Sequence, residues 1–310
     1  MPPRRSLAAR IAILTVVPTV VFAVLAGCAT SSTEVLAVGA EGAAGSAAET
    51  DATVLSDLGY GAGAPLLDAC LPLESDGSPR AAILVIHGGS WARGDKADDG
   101  YGRICRLFAA HGYVAFSLNY RLAPTDVFPA AIDDVTQAVR WLREPAQVEH
   151  FNIDPTRIAA FGGSAGGNLA ALLGTRGSGD LTVDARVAAV VELSGPTDLT
   201  GANSNEAFAA VQLSYLGCVA AAPCPAAVEA SPISYVDPSD PPFFIAHSTA
   251  ELIPFAQAET LARALGVAGV SVKLVPVEGS LHSIAMLDDA LESRILDFLA
   301  SALAAPDAVT

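Results

Sequence analysis

From residue 81 onward, short uninterrupted apolar runs alternate with stretches whose apolar residues recur at helical spacing. The runs are Ala81–Ile86, Tyr113–Leu118, Arg157–Phe161, Val187–Leu193, Pro242–Ala246 and Val270–Val277. A run this short, without polar alternation, marks a strand buried on both faces. The helical stretches are Gly102–Ala110, Ala130–Arg143, Gly167–Gly174, Phe208–Tyr215, Phe255–Leu265 and Asp289–Leu303. Such alternation predicts an α/β fold with a mostly parallel sheet covered by helices on both faces. Thr53–Leu58 and Leu66–Leu71 precede the first helix and fit an antiparallel edge. In an open sheet of this kind the chemistry gathers at the carboxyl ends of the strands.

The first residues do not follow this pattern. Arg4, Arg5 and Arg10 stand without an acid, and Ile11–Leu25 is uncharged, apolar and short for a membrane span. This predicts an export signal over residues 1–27. Leu25-Ala26-Gly27-Cys28 resembles the bacterial lipoprotein signal, in which small residues admit the peptidase before a lipidated cysteine. An ordinary secretory site beside a chance cysteine is the plainer alternative. Lipid on Cys28 would hold the protein to a membrane without a spanning helix. Residues 28–50 are Ala, Gly, Ser, Thr and Glu with few large apolar residues, the composition of a flexible tether. The folded domain is then expected over residues 51–305.

Composition narrows the function. The chain has 310 residues, 52% hydrophobic and 16% charged, enough to bury a full core. Its net charge of −16 becomes −19 if the leader leaves with its three arginines. So acidic a surface repels nucleic acid and favours neutral substrates. With Cys28 lipidated, Cys70, Cys105, Cys218 and Cys224 remain, an even set that an oxidising compartment would pair. Cys218 with Cys224 closes a short loop, leaving Cys70 with Cys105, although spacing alone does not fix connectivity.

Three motifs end on predicted strands. The run closing at Phe161 passes into Gly162-Gly163-Ser164-Ala165-Gly166-Gly167-Asn168, and a helix follows. Gly-x-Ser-x-Gly between strand and helix is a nucleophile elbow, where the serine is strained and flanking side chains would collide with backbone. The first run ends in His87-Gly88-Gly89-Ser90-Trp91, whose glycine N–H groups, with that of Ala165, are candidates to bind an oxyanion. His87 itself reads as structural. After the last strand comes Glu278-Gly279-Ser280-Leu281-His282, and His282 is the general base a serine nucleophile needs.

Taken together, His-Gly-Gly-x-Trp, Asn119-Tyr120-Arg121-Leu122-Ala123-Pro124 and Phe128-Pro129-Ala130-Ala131 make the chain similar to the hormone-sensitive-lipase branch of the α/β-hydrolases. Trp91 and Gly94-Asp95-Lys96 bring it nearer to bacterial feruloyl and acetyl-xylan esterase-like carboxylesterases. The resemblance covers roughly residues 51–303. It implies an eight-stranded sheet, no cofactor, Ser164 as nucleophile, His282 as base, and Gly88, Gly89 and Ala165 as the oxyanion hole. The family's third residue, an aspartate in Asp-x-x-Val-Pro, is where this chain departs. Counting back from Pro254 reaches Ala250, while counting forward from His247 reaches Glu251. One extra methylene adds about 1.5 Å of reach, and glutamate serves in this role in some members of the fold. Asp198, just past the sixth strand, is the competing acid; its plain reading is a loop-shaping residue.

Other constellations read blandly. Arg121 with Asp133 or Asp134 is a structural ion pair before it is a substrate site. Asp288 and Asp289 suit the cap of the last helix. Phe208, Tyr215 and Phe255 line an acyl pocket or pack the core, and Trp91 is a candidate pocket wall. No spacing suggests zinc or a phosphate loop. The expectation is a lipid-anchored or secreted serine carboxylesterase with a small lid over Thr200–Asp240, acting on small-molecule or acylated-saccharide esters. An amide hydrolase of the kynurenine-formamidase type and a hydrolase-like binding protein are the alternatives. Nothing in the sequence sets the oligomeric state.

Overall fold

The structure, a computed structural model, describes residues 52–305 apart from 75, 202–205 and 220–221. The expected leader, Cys28 and the tether lie outside the described residues. In chain order the elements begin with β1 (Thr53–Gly59), β2 (Leu66–Leu71), β3 (Arg80–Ile86), α1 (Asp99–Ala110), β4 (Val114–Leu118), α2 (Ala130–Leu142), α3 (Pro145–Phe151) and β5 (Ile153–Gly163). They continue with α4 (Ala165–Arg176), β6 (Ala189–Leu193), α5 (Glu206–Leu216), α6 (Pro225–Glu229), β7 (Phe243–Ser248), α7 (Ala256–Val267), β8 (Val272–Val277) and α8 (Asp289–Ala302).

Eight strands make one sheet in the order β1-β2-β4-β3-β5-β6-β7-β8. The β1–β2 and β2–β4 pairs are antiparallel and the rest are parallel, as the sequence predicts. Continuous apolar runs are required in the inner strands because they face two cores, whereas the edge strands β1 and β8 are partly exposed. Ala82, Leu84 and Ile86 of β3 pack with α2, α4 and α7, whereas Ala81, Ile83 and Val85 pack with α1 and α8. Three details escaped the pattern, the simplest being the five-residue helix α6. Strand β5 starts at Ile153, ahead of Asp154-Pro155, because Ile153 still pairs with Arg80 across an irregularity. Helix α3 is short, opens on Pro145 and stops at Asn152 in the left-handed region (φ 49°), so it carries too few apolar repeats to be read.

The topology also fixes where ligands fit. After β3 the chain moves to β4 on one side and then returns to β5 on the other. That reversal opens a crevice at the carboxyl ends of β3 and β5. Both expected bridges form, Cys70 of β2 to Cys105 of α1 and Cys218 to Cys224 between α5 and α6. No helix among the described residues is long and apolar enough to cross a membrane.

Candidate active site

Ser164 stands at the end of β5 with φ 57° and ψ −120°, a strained conformation for a side-chain-bearing residue. Its N–H donates to the Leu193 carbonyl of β6 at 2.7 Å, which holds the turn. The glycines are steric necessities: a β-carbon at Gly162 would collide with the Gly166 carbonyl, and one at Gly166 with the Ile86 carbonyl. Helix α4 begins at Ala165, two residues earlier than the sequence suggests, so the N–H groups of its first turn border the serine.

Three side chains from three loops then meet. The Ser164 hydroxyl donates to Nε2 of His282 at 2.8 Å, and Nδ1–H of His282 donates to Oε2 of Glu251. The Glu251 carboxylate is fully buried, while the imidazole is about a third exposed toward the cleft. This pairing fixes the tautomer, leaving Nε2 as the acceptor. The base loop is tied at both flanks of His282. Ser248 Oγ of β7 donates to the Leu281 carbonyl, and Ser283 N–H donates to Ser194 Oγ at 3.0 Å. Ala250 N–H donates to the Gly279 carbonyl at 2.9 Å, which ties the acid loop to the base loop.

Behind Glu251 lies a second polar layer. His247 Nε2–H donates to the Ile253 carbonyl at 2.8 Å and stands 3.2 Å from Glu251 Oε1. Burial lowers its pKa and keeps it neutral. Glu192 of β6 is fully buried with one oxygen on the Gly195 N–H, and burial followed by the nearby Glu251 charge pushes its pKa up to about 8. Neither Glu192 nor Ser194 was singled out from sequence. The available signal was a carboxylate inside an otherwise apolar strand run.

In the loop after β3, which was expected to bind an oxyanion, the N–H of Gly88 is already taken. Gly88 N–H does not face the cleft but donates to the Tyr101 hydroxyl at 2.7 Å. Among the described residues nothing accepts from the N–H groups of Gly89, Ser90 or Ala165. Gly89 has φ 109°, and a β-carbon there would strike the Arg93 carbonyl. His87 is structural: its Nδ1–H donates to the Gly88 carbonyl at 2.7 Å, and its ring stacks on Tyr120 at 4.3 Å.

These groups open on a cleft of about 430 Å³ walled by Gly89, Arg93, Tyr101, Phe208, Leu252 and Ile284. Trp91 is not a wall of it. The indole is buried, stacked on Tyr215 at 4.2 Å, and supports Phe208 from behind. Asp198 is not at the imidazole either; its carboxylate accepts from the Thr200 N–H and hydroxyl at 2.9 and 2.6 Å, shaping its own loop. Arg121 and Asp134 form a forked structural pair at 2.7 Å, and Asp288 caps α8 through the Leu291 N–H. A second cleft of about 420 Å³, between α2 and α4, holds Arg140, Arg176 and Arg186 but no nucleophile beside a base. No group of metal-ligating side chains occurs among the described residues.

Comparison with known proteins follows the same line. The profile of the BD-FAE family matches residues 67–265. Esterase LipQ of Mycobacterium tuberculosis is 32% identical over 232 residues, covering 71% of this chain and 54% of LipQ. This chain thus spans about half the length of that relative. A truncated carbohydrate esterase from gut microbiota superposes with a TM-score of 0.68 at 25% identity, over 84% of this chain and 99% of that one. The butyrate-bound esterase Est2 of the planctomycete Thermogutta terrifontis gives 0.62 at 25% identity, over 78% and 92%.

Proposed function

Because the chain belongs to the BD-FAE family, we propose that it is a serine carboxylesterase that hydrolyses short-chain esters through an acyl-enzyme. The observation that carries this reading is the unbroken contact from the Ser164 hydroxyl through His282 to Glu251. Ser164 Oγ attacks the ester carbonyl carbon as its proton passes to His282 Nε2. The tetrahedral oxyanion rests on the N–H groups of Gly89 and Ala165. His282 returns the proton to the departing alcohol; water, deprotonated by the same imidazole, then attacks the acyl carbon, and the acid leaves as His282 gives that proton to Ser164 Oγ. Glu251 holds the imidazole and stabilises its charged form.

A cleft of this size, partly covered by α5, suits small acyl groups. Acylated saccharides are the proposed natural class, supported by the likeness to a carbohydrate esterase, and a butyrate-bound neighbour supports the short acyl group. The reading as a hydrolase-like binding protein rested on a missing aspartate, and Glu251 on Nδ1 removes that argument. We place the protein outside the cytoplasm on the strength of its two disulfides, anchored by lipid at Cys28.

The test is hydrolysis of p-nitrophenyl acetate and of acetylated and feruloylated sugars, with N-formyl amides alongside. We expect turnover on the esters, lower turnover on the amides, and a loss of roughly 10⁴-fold or more in Ser164→Ala. A Ser164→Ala variant as active as the parent refutes the proposal. Loss of membrane association in Cys28→Ala tests the anchor.

A further inference from the structure

We infer that Tyr101 is a positioning residue whose single hydroxyl holds the oxyanion loop and the nucleophile turn of the active site in register. The inference rests on the esterase reading above, since it concerns how that site is held. Tyr101 comes from the first turns of α1, outside every motif that marks the site. Its oxygen accepts from Gly88 N–H at 2.7 Å and lies 3.4 Å from the Gly163 carbonyl. Ser283 Oγ lies nearby but makes no hydrogen bond among the described residues. Both partners of the phenol are immediate neighbours of a working residue: Gly88 precedes Gly89, and Gly163 precedes Ser164.

The packing is close enough for register to matter. A β-carbon at Gly88 or at Gly163 would lie 3.0 Å from the phenol oxygen, and at Gly163 it would also strike Ser283 Oγ. The ring is held edge-on to His87 at 6.2 Å, and the side chain is 7% exposed. Burial raises the phenol's pKa, so it remains protonated, with one O–H to donate and lone pairs for Gly88. The Gly88 N–H has no other acceptor, and removing the oxygen would leave it buried and unsatisfied. The backbone that aims Gly89 N–H would then be free to turn away. Oxyanion stabilisation is geometric, so a small displacement of its donors is read directly in turnover.

The experiment is Tyr101→Phe in the full chain, with kcat and KM on p-nitrophenyl acetate and butyrate, and a melting curve. We expect kcat to fall about 10- to 100-fold, as for a displaced oxyanion donor, with KM within about twofold and the same fall for both acyl groups. A lowered melting temperature with unchanged kcat would make the hydroxyl merely structural and overturn the inference. An effect confined to KM, or one that differs between acetate and butyrate, would make it a substrate contact and overturn it as well. Should Tyr101→Phe not fold, Tyr101→Leu fills the site without the oxygen and is expected to lower kcat in the same way at constant KM; unchanged kcat there overturns the inference. Ser164→Ala runs in parallel. If that variant retains activity, the esterase reading fails, whatever Tyr101→Phe shows.

Discussion

Glu251 meets the imidazole although it stands one residue nearer Pro254 than the aspartate of the expected Asp-x-x-Val-Pro pattern would, and its side chain is one methylene longer. Shortening it in Glu251→Asp withdraws the carboxylate by about 1.5 Å, and kcat should fall while KM holds. Glu251→Gln should cost more, up to roughly 10⁴-fold in kcat, because an amide favours the wrong tautomer and cannot stabilise the imidazolium; steady-state kinetics on one ester checks both. Asp198→Asn should leave kcat unchanged, since that carboxylate is occupied by Thr200. Glu192 gives a prediction in pH. Its folded pKa, near 8, is above the ordinary 4.5 because the fold buries it. Between those values the folded chain holds a proton that the unfolded chain releases, so this contribution is complete below about 4.5 and fades as pH climbs to 8. Asp240, pushed up to about 6, acts with the same sign at lower pH. Glu192→Gln should therefore flatten the fall in melting temperature between pH 6 and 8 relative to the parent, and parallel curves would disprove the assignment.

At the scale of elements, the disulfides do different amounts of work. Cys70–Cys105 spans 35 residues and fastens the edge strand β2 to α1, the helix that carries Tyr101; Cys218–Cys224 spans 6. Loop-closure entropy assigns the longer bridge about 4 kcal/mol and the shorter about 2 kcal/mol. Replacing both cysteines of a pair by alanine should reproduce that order in urea unfolding. Strands β3 to β7 were legible because a strand covered on both faces has no choice but to be apolar throughout, whereas the edge strand β8 is partly exposed and carries Lys273. The elbow was legible because its glycines are forced by collision. Tyr101 left no such trace, since a tyrosine on an amphipathic helix is indistinguishable from core until the loops are seen around its oxygen. Trp91 misled for a related reason: its motif places it near the cleft, but φ 55° at that residue turns the indole inward, onto Tyr215. Gly88 misled because a free glycine N–H and one claimed by a distant phenol read alike in sequence.

Over the whole molecule, the dominant physical fact is a net charge of −16 on a chain with 17 basic residues against 33 acidic ones. The cleft contains Arg93 and Asp98, so its own walls nearly cancel and the long-range field is that of the acidic surface. A neutral ester approaches such a surface without penalty, whereas a singly negative one is repelled before it reaches Ser164. The effect should be visible in kcat/KM for two p-nitrophenyl esters of similar length, butyrate and hemisuccinate. The anionic ester should be the poorer substrate at low salt. Raising ionic strength from 0.01 to 1 M shortens the screening length from about 30 Å to about 3 Å, so its kcat/KM should rise toward the neutral ester's while the latter stays level. A gap that persists at high salt would instead belong to the cleft, which would make Asp98 rather than the global charge the discriminating group, and Asp98→Asn would then close it.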